Sequence, residues 1–574
     1  MRKIINCFSL IVVLTFFLLP AAFAQQAPYW YGTDEGFFQS FPPTYDPFIT
    51  DATDPAYMPC GDTQSPFAPP YPVTPTLASN YIMNLFGIFA FNNNPDHDFG
   101  VTINEPEAWD AYTLLSCMNG CTRSDDLTDT TVYKALLIDN AGNFINGWDD
   151  ILPFPARMWP GGDITGTATG GPTGVDSYAL VRQNWAGVEL WRWDLRDIEV
   201  EEDDPVPGQF HHDYNLQGSS CGYFAPPLNS RTNTDGKIVA LANHWPDQGY
   251  AYPKAWVPEG HPARDTSTIS NHPLYDDAFY IIDKNDRIKW QWFASNHFAQ
   301  MGFSDKAKDA IMTIQQPGTA ADICPPPPGT TNHICDRSDY LHFNNVNFLG
   351  PNKWYDAGDQ RFHPNNLIFD SRGANFLAII AYDDYAGFKK GDIIYRVGPD
   401  YAGTPWASLG QIIGLHNAHM IPATLPGGGN ILLFDNGGMG GWGPLREDCP
   451  GTSNAALRDY TRILEFNPET YEVVWEYTQT NPTYDTGGDG HTYGNERKFF
   501  SAFMGGVQRL VNGNTLITEA NSGRVFEVTP QGDVVWEYIA GKDISTKPGV
   551  PDLVGAAVYR AYKVPKDWAP ANGD

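Results

Sequence analysis

Four short segments of this 574-residue chain concentrate side chains able to hold an anion and move a proton. They are QFHHDYNL with His211 and His212, DYLHFNNVNF with His342 and Asn344, NNLIFDSRGANF with Arg372, and GLHNAHMIP with His416 and His419, ahead of GNILLFDNGG. An imidazole with a pKa near 6.5 is largely neutral at pH 7, so a histidine such as His416 can attack without an activating base, provided one tautomer is held. Arg372 offers a planar, permanently charged fork suited to an oxyanion. His212, His342 and the Asn344 amide supply further donors, and a protonated His212 or His342 can give a proton to a leaving group. Taken singly, each residue has a plainer reading. A histidine at a loop–strand junction can bond backbone, an arginine can sit in an ordinary ion pair, and FDNGG alone is a tight turn whose Gly437 and Gly438 accept positive φ.

The elements that must position these side chains come from a repeat. Six runs pair a short β-rich stretch, a turn and a β-branched stretch ending near an aromatic: Ala135 to Trp148, Tyr178 to Trp193, Phe279 to Trp292, Phe376 to Val397, Arg462 to Tyr477 and Arg524 to Tyr538. Between them lie six shorter strand-like runs, YTLLSC, PGGDITG, GKIVALANH, NNLIFDSR, GNILLFDNG and GNTLITE. A unit of this kind buries its faces only by stacking on its neighbours. Six units of about four strands each predict an all-β, six-bladed β-propeller. The units are longer than the roughly 40 to 50 residues of a minimal blade, and the excess is loop.

Composition narrows the setting. Arg2 and Lys3, an apolar run from Ile4 to Leu19 and a small-residue site at Ala22-Phe23-Ala24 read as a signal peptide over residues 1–24. The apolar run is too short for a membrane anchor, and no second span of about 20 apolar residues follows. The mature chain is therefore expected outside the cytoplasm, periplasmic or extracellular. It keeps 34 basic against 67 acidic side chains, a net charge of −33, which disfavours nucleic acid and anionic membranes as partners. Residues 25–98, with ten prolines between Pro42 and Pro75, read as an irregular Pro-rich arm or linker, and residues 99–574 as the propeller.

Seven cysteines remain after cleavage. Cys324 and Cys335, flanking a Pro-rich loop, are the best pair, while Cys117 and Cys121 form a local disulfide or find separate partners. No second pair completes a metal-ligand set around Cys117 and Cys121, so no metal site is expected.

The ordered set of segments resembles the bacterial arylsulfate sulfotransferases, a family of exported six-bladed propellers. The likeness runs from GVTINEPEAWDAYTLL through HHD, LHFNNV, FDSRGANF, LHNAHMIP with FDNGG, and FFSAFMGGVQRLVNGNTLITE to VFEVTPQGDVVWEY. It implies that His416 attacks the sulfur of a phenolic sulfate ester to give a sulfohistidine, which then sulfates a second phenol in ping-pong order. His212, His342 and Arg372 take the family's other catalytic positions, and Asn344 the amide of its H-x-N pair. Leu415 and Asn417 stand where the family usually carries Gln and then Asp or His. A transferring sulfuryl group spreads charge over its equatorial oxygens, so positioning and charge stabilisation dominate the chemistry. No cofactor is implied. The partners implied are a small phenolic sulfate donor and a phenol acceptor, with a homo-oligomer left open. Two other readings stay open: a non-catalytic exported propeller that binds a sulfated or phenolic ligand or a protein, and an aryl sulfate hydrolase. His419, His211 and His491 are expected to be structural.

Overall fold

The computed structural model describes residues 99–570, apart from 127–128, 130, 169–176, 198–206, 217–236, 245–275, 284–286, 305–306, 308–340, 402, 438–439, 443–453, 457–459, 479–498, 500, 502 and 544–552. The expected signal peptide, the Pro-rich arm, the Cys324–Cys335 pair and His491 lie outside the described residues.

Five of the six hairpins read from the sequence form the two outer strands of a four-stranded antiparallel sheet, the sixth, Arg524 to Tyr538, lies in a five-stranded one, and each shorter run forms the strand beside its hairpin. Blade II, for example, is Ile151–Met158, Ile164–Ala168, Ala179–Gln183 and Glu189–Asp194 in order from the hub. The run and the hairpin thus account for three strands. The fourth, at the hub, comes in blades III, IV and V from the segments that carry the candidate histidines, as Pro207–Leu216, Phe343–Phe348 and His416–Met420, and in blade VI it is Gly506–Arg509.

Both ends of the propeller are used to close the ring. The last strand, Val558–Val564, forms the hub strand of blade I against Tyr112–Cys121. The first, Gly100–Asn104, adds a fifth outermost strand to blade VI against Val534–Ile539. Closure gives the first and last blades a neighbour for the apolar faces that an open stack would leave uncovered. In Tyr112–Cys121 the pairing register breaks between Ser116 and Cys121, and Cys117 and Cys121 are joined there by a disulfide, which settles the choice left open for this pair.

Apolar faces meet between every pair of neighbouring blades, giving six inter-blade cores. The aromatic that ends each hairpin has a specific task at those junctions. Trp148 of blade I donates its indole N–H to the Asn184 carbonyl in the outer turn of blade II, at 3.4 Å. Trp292 of blade III reaches Gly391 of blade IV at 3.0 Å, Trp475 of blade V reaches Pro530 of blade VI at 3.0 Å, and Trp536 of blade VI reaches Asn140 of blade I at 2.9 Å. At the blade IV–V junction, Tyr395 stacks on Tyr471 instead, with ring centroids 6.0 Å apart. At four of the six junctions the aromatic cadence is therefore a latch, an indole ring whose N–H finds a carbonyl on the next blade. Among the described residues no helix is long and apolar enough to cross a membrane.

Trp536 is fully buried at the junction that closes the ring, whereas Val474 is 52% exposed on an outer strand. Urea unfolding followed by circular dichroism is expected to show Trp536→Ala costing about 3–5 kcal/mol, and Val474→Ala costing less than about 0.5 kcal/mol.

Candidate functional site

In a regular strand, successive side chains point to opposite faces. The hub strands of blades III to VI each interrupt that rule beside the axis with one non-glycine residue in the left-handed region. These are His212 (φ 57°), His342 (φ 49°), Asn417 (φ 58°) and Met504 (φ 59°). In blades III, IV and V the pairing slips at the same place. His416 and His419, three residues apart, pair with Phe434 and Leu432, two apart, and comparable slips follow Phe343 and precede Tyr214. Such bulges re-aim side chains, and left-handed residues outside glycine persist where surrounding structure holds them.

His416 is 1% exposed and its tautomer is set by its neighbours. The Asn436 amide donates from Nδ2 to the carbonyls of Ser501 and Met504, both at 2.7 Å, so its Oδ1 faces His416 Nδ1 at 2.7 Å as an acceptor. The Gly414 carbonyl lies 3.0 Å from the same nitrogen. Two acceptors require Nδ1 to carry the proton, which leaves a lone pair on Nε2. That lone pair accepts the Met504 N–H at 3.1 Å. Burial holds the His416 pKa well below 6.5 and Arg372 pushes it the same way, the bond to Asn436 opposes them, and His342 and Arg560 add lesser pushes downward. The ring is a neutral imidazole with its basic nitrogen aimed where the Met504 N–H sits.

His212 and His342 meet edge to face with centroids 4.6 Å apart, and both residues are half-buried. His212 is backed by Phe154, stacked on it at 5.0 Å, and Tyr559 donates its hydroxyl to the His212 carbonyl at 3.0 Å. The His212 pKa is pushed well below 6.5, first by burial and then by His342, His211, His416 and Arg560. Arg372 is held by its backbone, its N–H bonding the His342 carbonyl at 3.1 Å while Gly373 bonds Leu341 at 3.0 Å. The fold thus gathers His212, His342, Arg372 and His416 from three blades at one hub. Asn344 is used differently from the expectation of a substrate donor. Its Nδ2 donates to the Leu415 carbonyl at 3.1 Å, tying blade IV to the residue before His416.

Beneath these residues lies a layer that the sequence reading passed over. Arg560, 0% exposed on the closing strand, bonds Asp213 Oδ2 at 3.0 Å and the Asn344 carbonyl at 2.9 Å. Arg157 bonds the other oxygen of Asp213 at 2.6 Å. Asp370 Oδ2 accepts the Ala418 N–H at 2.7 Å, and burial raises its pKa to about 8 in spite of that bond and of Arg560. The signal for Arg560 was present as a cation inside VYRAYKV, an otherwise apolar run. Asn436 was visible only as part of a turn, and Met504 carried no signal. Among the described residues no cluster of three or more His, Cys, Asp or Glu side chains is placed to hold a metal ion.

His419 is fully buried, donating from Nδ1 to the Asn417 carbonyl at 2.7 Å, and burial pushes its pKa down to about 4. A folded-state pKa below the unfolded value of about 6.5 means that the unfolded chain binds more protons between those values, so stability is intact above pH 6.5 and is lost as pH falls toward 4. Replacing His419 by Asn keeps a donor at the Nδ1 position and removes the titration. Paired urea titrations should show the stability of His419→Asn relative to wild type improving by about 2–3 kcal/mol between pH 7 and pH 4.5. An unchanged difference would mean that His419 is not held neutral by the fold.

No protein-family model matches the chain, and no curated protein sequence matches it. Solved structures that superpose on it include a protein of unknown function from Bacteroides caccae, at 9% identity over 79% of this chain and 99% of that one, with a TM-score of 0.34. Another is a "putative 6-phosphogluconolactonase" from Bacteroides fragilis, at 9% identity over 79% of this chain and 98% of that one, with a TM-score of 0.31. Superposition at this level carries no functional argument, so function has to be read from the hub itself.

Proposed function

We propose that the protein is an exported arylsulfate sulfotransferase that moves a sulfuryl group from a phenolic sulfate ester to a phenolic acceptor through a sulfohistidine on His416. The observation that carries this reading is the fixed tautomer of His416. Its Nδ1–H is committed to Asn436 and Gly414, and its Nε2 lone pair stands beside a guanidinium and two further imidazoles. A neutral nucleophile held by two acceptors needs no base to activate it, which suits attack on an anion.

The steps follow from these positions. The sulfate ester displaces the Met504 N–H from Nε2, with Arg372 taking the charge of the equatorial oxygens. The Nε2–S bond forms as the bond from sulfur to the aryl oxygen breaks. The departing phenolate, whose conjugate acid has a pKa near 10, takes a proton from an imidazole across the hub. In the second half, that imidazole takes the proton of the acceptor phenol, the phenolate attacks sulfur, and the N–S bond breaks to return neutral His416. The disulfide between Cys117 and Cys121 suits an oxidising compartment outside the cytoplasm, as the amino-terminal reading expects.

Denaturing mass spectrometry after mixing with 4-nitrophenyl sulfate is expected to find a sulfuryl adduct on a peptide containing His416, discharged by added phenol. His416→Ala should lose the adduct and lower turnover by at least about 1,000-fold. Full turnover in that variant would sink the covalent mechanism, and sulfate release without any acceptor would mark a hydrolase.

A further inference from the structure

His212 stands beside its neighbour in a way that ordinary strand geometry forbids. Residues 211 and 212 should point to opposite faces, yet their Nδ1 atoms lie 2.9 Å apart with the rings at 85°. The left-handed backbone at His212, within the bulge of its strand, makes the contact. On its far side, His211 Nε2 lies 3.3 Å from Oδ1 of Asp277, whose other oxygen accepts the Phe343 N–H at 3.2 Å. Both His211 and Asp277 are buried, at 6% and 1% exposure.

We infer that Asp277, His211 and His212 form a proton relay in which His211 stores the proton that His212 hands to the departing phenolate. The inference rests on the sulfuryl-transfer reading above and assigns the acid that it left unnamed. A carboxylate oxygen 3.3 Å from Nε2, at ion-pair distance, favours by its charge a proton on that nitrogen of His211. The state of the His211 Nδ1 then dictates the state of His212. When His211 is cationic, its Nδ1–H donates to His212 Nδ1, so His212 carries its own proton on Nε2. When His211 is neutral, its Nδ1 accepts from His212 Nδ1–H, and His212 Nε2 becomes a base.

One concerted shift connects the two states. His212 Nε2–H passes to the phenolate oxygen, and His211 Nδ1–H passes to His212 Nδ1. The donor leaves as a phenol and both rings end neutral, with Asp277 ionised throughout. The acceptor phenol reverses the shift, so one relay serves as acid and then as base. It also answers an electrostatic difficulty. The groups acting on His212 are His342, His211, His416 and Arg560, all of which disfavour a cation there, and burial adds to them. A proton parked on His211 sits against Asp277 instead, and His212 never carries the charge for long.

The test compares two donors on the mature protein. Phenyl sulfate needs its leaving oxygen protonated, whereas 4-nitrophenyl sulfate departs as a stabilised anion. In both His211→Gln and Asp277→Asn, kcat/KM is expected to fall about 100-fold with phenyl sulfate and less than about 5-fold with 4-nitrophenyl sulfate. Equal losses with both donors, or none with either, would overturn the relay, because a merely structural role does not distinguish leaving groups. Ring-nitrogen NMR of the wild type provides a second reading that needs neither a variant nor activity. The His211 and His212 rings are expected to titrate as one coupled pair with a shared midpoint. Independent titration overturns the relay. Wild type that transfers nothing from either donor would instead refute the sulfuryl reading, and the same titration would still decide whether the relay exists.

Discussion

One guanidinium holds the hub together. Arg560 enters on the last strand of the chain, in blade I, and reaches Asp213 in blade III and the carbonyl of Asn344 in blade IV. Ring closure by the carboxyl-terminal strand is therefore also the step that supplies the charge beneath the site. A buried ion pair stabilises little on balance, but removing one partner leaves an uncompensated charge costing about 3–5 kcal/mol. That asymmetry makes Asp213, Arg157 and Arg560 mutually dependent and ties the register of three blades to a single geometry. Asn344 depends on this network at its carbonyl and extends it through its amide to Leu415, and so to the strand that begins at His416.

The left-handed residues express the same dependence in the backbone. A positive φ at His212, His342, Asn417 or Met504 is expensive in isolation. Each is held by a bond from another segment, in the same blade for His342 and from another blade for the other three. Tyr559 bonds the His212 carbonyl, the N–H of Arg372 bonds that of His342, the side chain of Asn417 accepts the Val507 N–H at 2.9 Å, and Asn436 grips the Met504 carbonyl. The strain turns ring faces toward the axis that an unbroken strand would direct alternately up and down the blade.

This also explains which parts of the molecule were legible in the sequence. The hairpins stood out because an outer pair such as RVFEVTPQGDVVWEY contains its whole specification locally: alternation, a turn and a terminal aromatic that meets the next blade. Hub strands lack that signature. In FHHDYNL and LHNAHM the bulge breaks the alternation and polar residues occupy positions that are apolar elsewhere, so the segments were noticed for their chemistry and not as strands. The roles of Asn436, Asp277 and Arg560 were illegible for a different reason. Each depends on partners from 20 to 347 positions away, and no local pattern encodes a contact made only when distant segments meet in the fold.

On the sulfuryl-transfer reading proposed above, a chain with a net charge of −31 has to create attraction for an anion locally, and the hub is built to do so by subtraction as much as by addition. Arg157 and Arg560 share one carboxylate, Asp213. The second buried acid in this layer, Asp370, has its pKa pushed up to about 8 because burial outweighs the bond from Ala418, so it offsets the cations less than an ordinary carboxylate would. The layer beneath the site therefore carries an excess positive charge, and Arg372 adds another beside His416. Those cations have a second effect: with burial, they hold the His416 ring neutral and its lone pair available. Had the hub drawn anions with protonated histidines, the group meant to attack would have been consumed in the attraction. Placing the permanent charge on guanidiniums and keeping the His416 and His212 rings neutral separates the two tasks, and it favours a leaving oxygen's proton that comes from outside those two rings.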